Sequence, residues 1–335
     1  MRLGIGVSED LTIAIQQRIA EHVEAAGFTS LWTNEARGRD ALLLCQAWAA
    51  ATTDLQVGIG VVPIWTRSPA QLAMASATLA EASGGRFLLG LGVSHPATMA
   101  PGHGAEVVKP LTASREILTI LDRLEAGERA DFVGEVLRCE KFRLTISPLP
   151  PATRRYLAAM GPKMLALAGS DARGVLLNWS SPGEVERAAG IVRQAAVDAD
   201  RDPADVEVAG YVRVAVADDL GAAKAALAAQ IGQYAALPAY ASHFARQGFG
   251  DAVERVKAAH KSGADAAGLA EALGDEVLDA FGWAATGADD PEPFLARYRD
   301  AGLDHLVARV VVSGEHAEDS VHAVVRALDT ATAAR

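Results

Sequence analysis

Short apolar runs alternating with longer amphipathic ones constrain this chain more than any other feature, because that alternation builds a parallel sheet wrapped by helices. Leu3 to Val7 reads as a first strand. Thr12 to Ala26 then carries Ile13, Ile15, Ile19 and Val23 at near-helical spacing and stops at Gly27, a favoured C-cap residue. The pattern continues with strand Thr29 to Thr33, a helix from Asp40 to Thr52, strand Gln56 to Ile64, and a helix from Pro69 to Ala82. Strand Arg86 to Gly92 and a helix from Thr112 to Ala126 follow. Asp131 to Ser147 breaks the rhythm as two short β segments around Gly134, an excursion hairpin. The alternation resumes with strand Arg155 to Ala159, helix Pro162 to Gly169, strand Gly174 to Asn178, helix Pro182 to Asp200 and strand Val206 to Ala217. From Leu220 to Leu278 the signal is helical, broken at Pro238 and Gly248, and too long for one crossover. A helix from Pro291 to Ala301, strand Asp304 to Val312 and a closing helix from Glu315 to Ala334 complete the chain.

Eight strands with intervening helices predict a (β/α)8 TIM barrel spanning residues 1–335 as one domain, with a β-hairpin insertion at about 131–147 and a helical insertion at about 220–283 after the seventh strand. An open doubly wound sheet would place a glycine-rich turn after the first strand, and here that turn is Val7-Ser-Glu-Asp10. The net charge of −11 argues against nucleic-acid and anionic-membrane partners. No apolar stretch reaches the roughly 18 residues of a membrane span. A strand begins at Arg2 with no signal peptide before it, and Cys45 and Cys139 match no metal or redox motif, so a cytoplasmic protein with free thiols is expected.

The active site of such a barrel lies at the C-terminal ends of its strands. That rule selects Asn34, Glu35 and Arg37, then Ile64, Trp65 and Arg67, then Ser94 and His95, then Met160 and Gly161, then Asn178, Trp179 and Ser180, then Asp218. His95 can exchange a proton near neutral pH, and Glu35 can act as a base or hold a hydroxyl; either can equally be a packing residue. Ala159-Met-Gly-Pro-Lys163 puts Gly161 and Pro162 at a helix start, where unpaired N–H groups attract an anion and Lys163 adds charge. Asn178-Trp-Ser-Ser-Pro182 is a second such turn, and ordinary capping explains either turn as well. Gly58, Gly60, Gly90 and Gly92 inside strands mark either room for a flat ring or tight packing within the barrel. Trp65, Trp179 and Trp283 are core or pocket wall. The scattered histidines predict no metal site, and no nucleophile elbow or phosphate-binding P-loop occurs.

Four segments carry a resemblance: Ala25-Ala-Gly-Phe-Thr-Ser-Leu-Trp-Thr-Asn-Glu35, Gly58-Ile-Gly-Val-Val-Pro-Ile-Trp-Thr-Arg-Ser-Pro69, Gly85-Arg-Phe-Leu-Leu-Gly-Leu-Gly-Val-Ser-His95 and Ala159-Met-Gly-Pro-Lys-Met-Leu-Ala-Leu-Ala-Gly169. In order and spacing the chain resembles the luciferase-like monooxygenase superfamily, and within it the F420-dependent oxidoreductases. The resemblance implies a non-proline cis peptide near Gly60-Val61 behind the cofactor ring. It implies a cofactor phosphate near Gly161 and the Asn178 to Ser181 turn, with Asn34, Glu35 and His95 facing the reactive side of the ring. It further implies cofactor contacts from Trp65, Ser94, Met160, Pro162, Lys163, Trp179 and Ser180, and a homodimer packed through the second and third helices. Hydride transfer between a small organic substrate and C5 of coenzyme F420 is the expected chemistry, with His95 exchanging the proton. An FMN-dependent two-component monooxygenase and a non-catalytic cofactor-binding protein are the alternatives. The oligoglutamate tail of F420 favours an electropositive groove, for which Arg37, Arg67, Lys163 and Arg173 are candidates. Position 35 is Glu and position 95 is His where the family's sugar-phosphate dehydrogenases have the reverse, and position 63 is Pro where a polar residue is common, so the sugar-phosphate activity is not carried over.

Overall fold

A computed structural model describes residues 1–147 and 149–333. The chain runs β1 (Arg2–Gly6), α1 (Ile13–Ala25), β2 (Ser30–Thr33), α2 (Ala41–Ala51), β3 (Gln56–Pro63), α3 (Pro69–Ala82) and β4 (Phe87–Gly92). Next come α4 (Pro96–His103), α5 (Pro110–Glu125), the hairpin strands β5 (Ala130–Val133) and β6 (Arg138–Phe142), β7 (Arg154–Ala158), α6 (Pro162–Asp171), β8 (Gly174–Asn178), α7 (Pro182–Asp198) and β9 (Glu207–Val216). Helices α8 (Leu220–Ala235), α9 (Pro238–Phe244), α10 (Gly250–Lys261), α11 (Ala266–Leu273) and α12 (Asp275–Phe281) form the long insertion, which returns through β10 (Gly282–Ala285). The chain closes with α13 (Glu292–Asp300), β11 (His305–Val310) and α14 (Ala317–Ala333); the predicted end of the last helix at Ala334 lies outside the described residues.

Strands β1, β2, β3, β4, β7, β8, β9 and β11 are parallel, and pairing of β8 with β9 closes them into a (β/α)8 barrel. The expected fold class is the one observed. Local chemistry sets the helix starts. Thr12, Asp40, Ser68, Ser181 and Asp219 each accept a first-turn amide at α1, α2, α3, α7 and α8. Two elements were not expected from the sequence: α4, whose segment contains Pro96, Pro101 and Gly102, and the four-residue β10. The hairpin lies where it was predicted. Its turn is held by Glu116 of α5, which accepts from the amides of Glu135, Val136 and Leu137 at 2.6, 3.1 and 2.6 Å. A Cβ at Gly134 would sit 2.4 Å from that carboxylate carbon, so a side chain there would displace the carboxylate that holds the turn.

Side chains alternate in and out along each strand. The outward set, including Ile5, Leu31, Ile59, Leu91 and Val212, packs against the helices in the main apolar core. The inward set forms a stack from bottom to mouth. Its middle is aromatic and aliphatic: Trp32, Leu88, Tyr156, Leu176, Tyr211 and Val307. Its floor is a buried polar cluster. Arg2 donates to Glu207 through Nε at 2.9 Å and to Gln56 at 2.7 Å; Tyr156 donates to Glu207; and Ser30 Oγ lies 2.8 Å from His305 Nε2. The insertion has its own apolar core, built around Leu227, Ile231, Phe244, Val256, Leu273 and Phe281. Among the described residues, no helix is long and apolar enough to cross a membrane.

The floor makes stability depend on pH. Burial, with Arg2 beside it, pushes His305 down from 6.5 to about 3. Below pH 6.5 the unfolded chain therefore binds a proton that the folded chain refuses, and stability falls as pH falls toward 3. Burial would raise Glu207, but the hydrogen bonds from Tyr156 and Arg2 and the charge of Arg2 hold it below its ordinary value, so its contribution is also lost on acidification. We expect His305→Gln to flatten the pH dependence of urea-denaturation stability between about pH 6 and pH 4. A slope unchanged from the parent would exclude His305 as its source.

Candidate active site at the barrel mouth

The residues selected from strand ends converge on one rim, in different roles. Asn34, at the end of β2, donates from Nδ2 to Glu9 Oε2 at 3.1 Å and accepts on Oδ1 from Arg309 Nη2 at 2.6 Å. Glu35 accepts a two-pronged bond from Arg67, Nη1 to Oε1 at 2.6 Å and Nη2 to Oε2 at 2.8 Å, and the same guanidinium reaches Asp40, the cap of α2, at 2.6 Å. The two carboxylates together raise the Arg67 pKa, chiefly through the Glu35 hydrogen bonds. Glu35 thus ties the start of α2 to the start of α3.

His95 is half-buried, and its carbonyl accepts from the amides of Thr98 and Met99 at 2.9 and 3.0 Å, starting α4. Ser94 before it is exposed and left-handed, with φ 54°. Trp65 donates from Nε1 to Val93 O at 2.8 Å, which locks the β3 loop to the β4 loop. The Gly60-Val61 peptide is cis, at the position the resemblance implies, and the register of β3 against β4 shifts between Ile59 and Val62.

Each of the four strand glycines has a packing neighbour that a side chain would strike. A Cβ at Gly58 would lie 2.5 Å from the Trp32 indole, one at Gly60 2.4 Å from Leu176 Cδ2, one at Gly90 2.1 Å from Ile59 O, and one at Gly92 2.7 Å from Val61 Cγ2. Gly90 is the backbone's room for the β3 bulge.

The two turns read as phosphate sites differ sharply. At α6, Gly161 is extended, makes no side-chain cap, and has open space where a Cβ would project; Pro162 occupies the first turn, Met160 is half-buried and Lys163 exposed. The second turn is closed. Gln247, in the π-helical turn Ala245–Phe249, accepts from the Ser181 amide at 2.9 Å and donates to Trp179 O at 2.9 Å. Trp179, Ser180 and Ser181 are buried, and the Trp179 ring meets Tyr234, Phe244 and Phe281 of the insertion at 4.9, 5.9 and 6.5 Å. This turn anchors the insertion.

Asn178 bridges outward from β8: Nδ2 donates to Tyr240 OH at 3.1 Å and Oδ1 accepts from Arg213. One expectation is corrected. Arg173 directly precedes β8 and shares a groove with Arg2, Arg154 and Arg193 at the barrel floor, so it cannot line a groove at the mouth. Arg37 and Arg67 do line an open groove of about 760 Å³ beside α4, together with Glu35, Asp40 and His103. Sequence reasoning missed Glu9, Arg213, Tyr240, Gln247 and Arg309. The available signal was a lone arginine near the C-terminal end of an apolar strand, as in Val212-Arg-Val214 and Ala308-Arg-Val310.

A closed (β/α)8 barrel with its polar residues gathered at the C-terminal mouth defines a ligand-binding barrel of the enzyme type. Comparison with known proteins narrows the class. The luciferase-like monooxygenase family matches residues 2–305. A 5,10-methylenetetrahydromethanopterin reductase from Methanolobus tindarius is 33% identical over 297 residues, covering 86% of this chain and 88% of that protein. An F420-dependent hydroxymycolic acid dehydrogenase from Mycobacterium tuberculosis is 30% identical over 223 residues, 62% of this chain and 60% of that protein. The solved structure of the coenzyme F420 dependent tetrahydromethanopterin reductase from Methanopyrus kandleri shares the fold with a TM-score of 0.81 at 23% identity, over 97% of both chains. The chain belongs to the luciferase-like monooxygenase family.

The glycine contacts are testable. Gly90→Ala should lose about 1–3 kcal/mol of stability through overpacking against the bulge, while Gly161→Ala, facing open space, should stay within about 0.5 kcal/mol of the parent. Equal losses in a denaturant titration would contradict the packing account.

Proposed function

We propose that this protein is an oxidoreductase that transfers a hydride between coenzyme F420 and a small organic substrate. The observation that carries the reading is the start of α6. An α-helix leaves its first N–H groups unpaired, and here no side chain takes them while Gly161 leaves the approach open. With the helix dipole and exposed Lys163 beside it, the turn suits the phosphate of a flavin-type cofactor. Met160, Gly161, Pro162 and Lys163 would hold that end. Gly60, Val61, Trp65 and Ser94 would support the ring, at strand ends whose loops Trp65 clamps together. Asn178, Trp179 and Ser180 would act from the neighbouring turn, through Asn178, the half-buried member of the three.

When bound, F420 supplies a hydride donor or acceptor at C5, and the protein contributes position and electrostatics. His95, half-buried at the rim, would exchange the accompanying proton. Asn34, fixed between Glu9 and Arg309, would orient the substrate, and Glu35 would set the shape of the rim through Arg67. F420 is favoured over FMN because a relative whose name specifies F420 is 30% identical over 62% of this chain.

Fluorescence titration against oxidised F420 and, separately, FMN should show tighter binding of F420. The reverse order would move the protein to the FMN-dependent monooxygenases. His95→Ala should keep F420 affinity within about twofold and lose roughly 10²-fold in turnover; full turnover would remove His95 from the chemistry.

We also infer a homodimer through α2 and α3, supported by Leu43 and Met74, large apolar side chains that are 71% and 52% exposed on those helices. Light scattering of a Leu43→Glu, Met74→Glu double variant should report a monomer where the parent reports twice that mass.

A further inference from the structure

Two arginines share the inner wall of the mouth and, among the described residues, have no carboxylate partner. Arg213 on β9 and Arg309 on β11 are register partners across adjacent parallel strands. Each continues an inward-facing series, Ala209 and Tyr211 before Arg213, and Val307 before Arg309. Gly6 on β1 leaves the space Arg309 occupies, since a Cβ there would lie 3.1 Å from Arg309 Cδ. Arg213 is 3% exposed. Its guanidinium stacks on Trp179 at 3.7 Å, faces Tyr234 at 5.4 Å, and donates from Nη1 to Asn178. Arg309 is only partly buried and donates from Nη2 to Asn34.

Each of those partners is a neutral amide or ring. Among the described residues, neither guanidinium forms an ion pair, and Arg213 Nε and Arg309 Nη1 are buried without any hydrogen-bond partner. Burial, with the charge of Arg309 adding to it, pulls Arg213 down to about 10, so it stays protonated at neutral pH. Two neighbouring cations, one buried and one partly buried, repel each other and lack an anion; an incoming oxyanion relieves both deficits.

We propose that Arg213 and Arg309 form a receptor for a carboxylate carried by the substrate. The pair offers one unmet nitrogen donor from each guanidinium, two donors for the two oxygens of a carboxylate. Tyr234 and Tyr240, both partly buried, stand beside it as aromatic walls for the rest of the molecule. Asn178 and Asn34, bonded one to each arginine, are positioning residues that orient the two guanidiniums. This inference names the substrate class of the proposed redox site and rests on that reading for its meaning, but the anion site itself needs no cofactor.

Calorimetric titration of the full-length protein at low ionic strength, with benzoate, its neutral isostere benzamide, and inorganic phosphate, tests it. Benzoate should bind and benzamide should not. Arg309→Met, which leaves the Arg213–Trp179 stack in place, and Arg213→Lys, which keeps the charge but loses the fork, should each weaken benzoate roughly tenfold or more. Circular dichroism melting establishes that both variants fold. Benzoate and benzamide binding alike, benzoate not binding, phosphate binding more tightly than benzoate, or unchanged affinity in the folded variants would each overturn the proposal. No F420 enters this titration, so failure here and failure of the F420 titration are separate results.

Discussion

Hydrogen bonding between Gly174–Asn178 and Glu207–Tyr211 closes the sheet, and the rest of the molecule depends on that seam. Once the ring is closed, the period-two alternation of each strand becomes an inside and an outside. The inside is then too small for anything but a stack of side chains, and each level must satisfy itself. At the floor, Glu207, Arg2, Tyr156 and His305 do so with charge and hydrogen bonds. In the middle, Trp32 packs edge-on to Tyr156 and Tyr211 at 5.5 and 6.4 Å. At the mouth, Arg213 and Arg309 reach the end of the stack with donors still unmet.

The seam is only partly shared by β8. β8 pairs with the lower half of β9, and β10 takes over its edge from Arg213 to Val216. That exchange admits the insertion to the mouth. It also gives two similar strand-to-helix turns different fates. The α6 turn stays open, while the α7 turn is pinned by Gln247 and covered by aromatic rings from α8, α9 and α12. The barrel mouth and the insertion are thus joined through one buried turn, with Trp179 touching Arg213 on one side and the insertion on the other.

Much of this was legible beforehand. Apolar periodicity located every barrel strand, and the expected helix starts at Thr12, Asp40 and Pro182 fall within one residue of the observed ones because capping is a local interaction. Helix α4 escaped because its prolines and glycine argue against a helix, and β10 because four residues carry no usable period. The strand glycines were ambiguous for a physical reason: a missing side chain records that something is close, not what it is. For Gly58 it is Trp32, and for Gly90 it is the bulged backbone of β3.

The sequence by itself determined the barrel, its two insertions and the set of loops that face the mouth, since these follow from periodicity and turn chemistry within a few residues. Only the tertiary structure decided which side chains meet there. Arg309 and Asn34 lie 275 positions apart, Glu35 and Arg67 lie 32 apart, and Arg213 and Asn178 lie 35 apart. Such pairs are fixed by the stagger of neighbouring strands and the length of the loops between them. A one-residue slip would turn Arg213 out of the barrel, and no local pattern records that register.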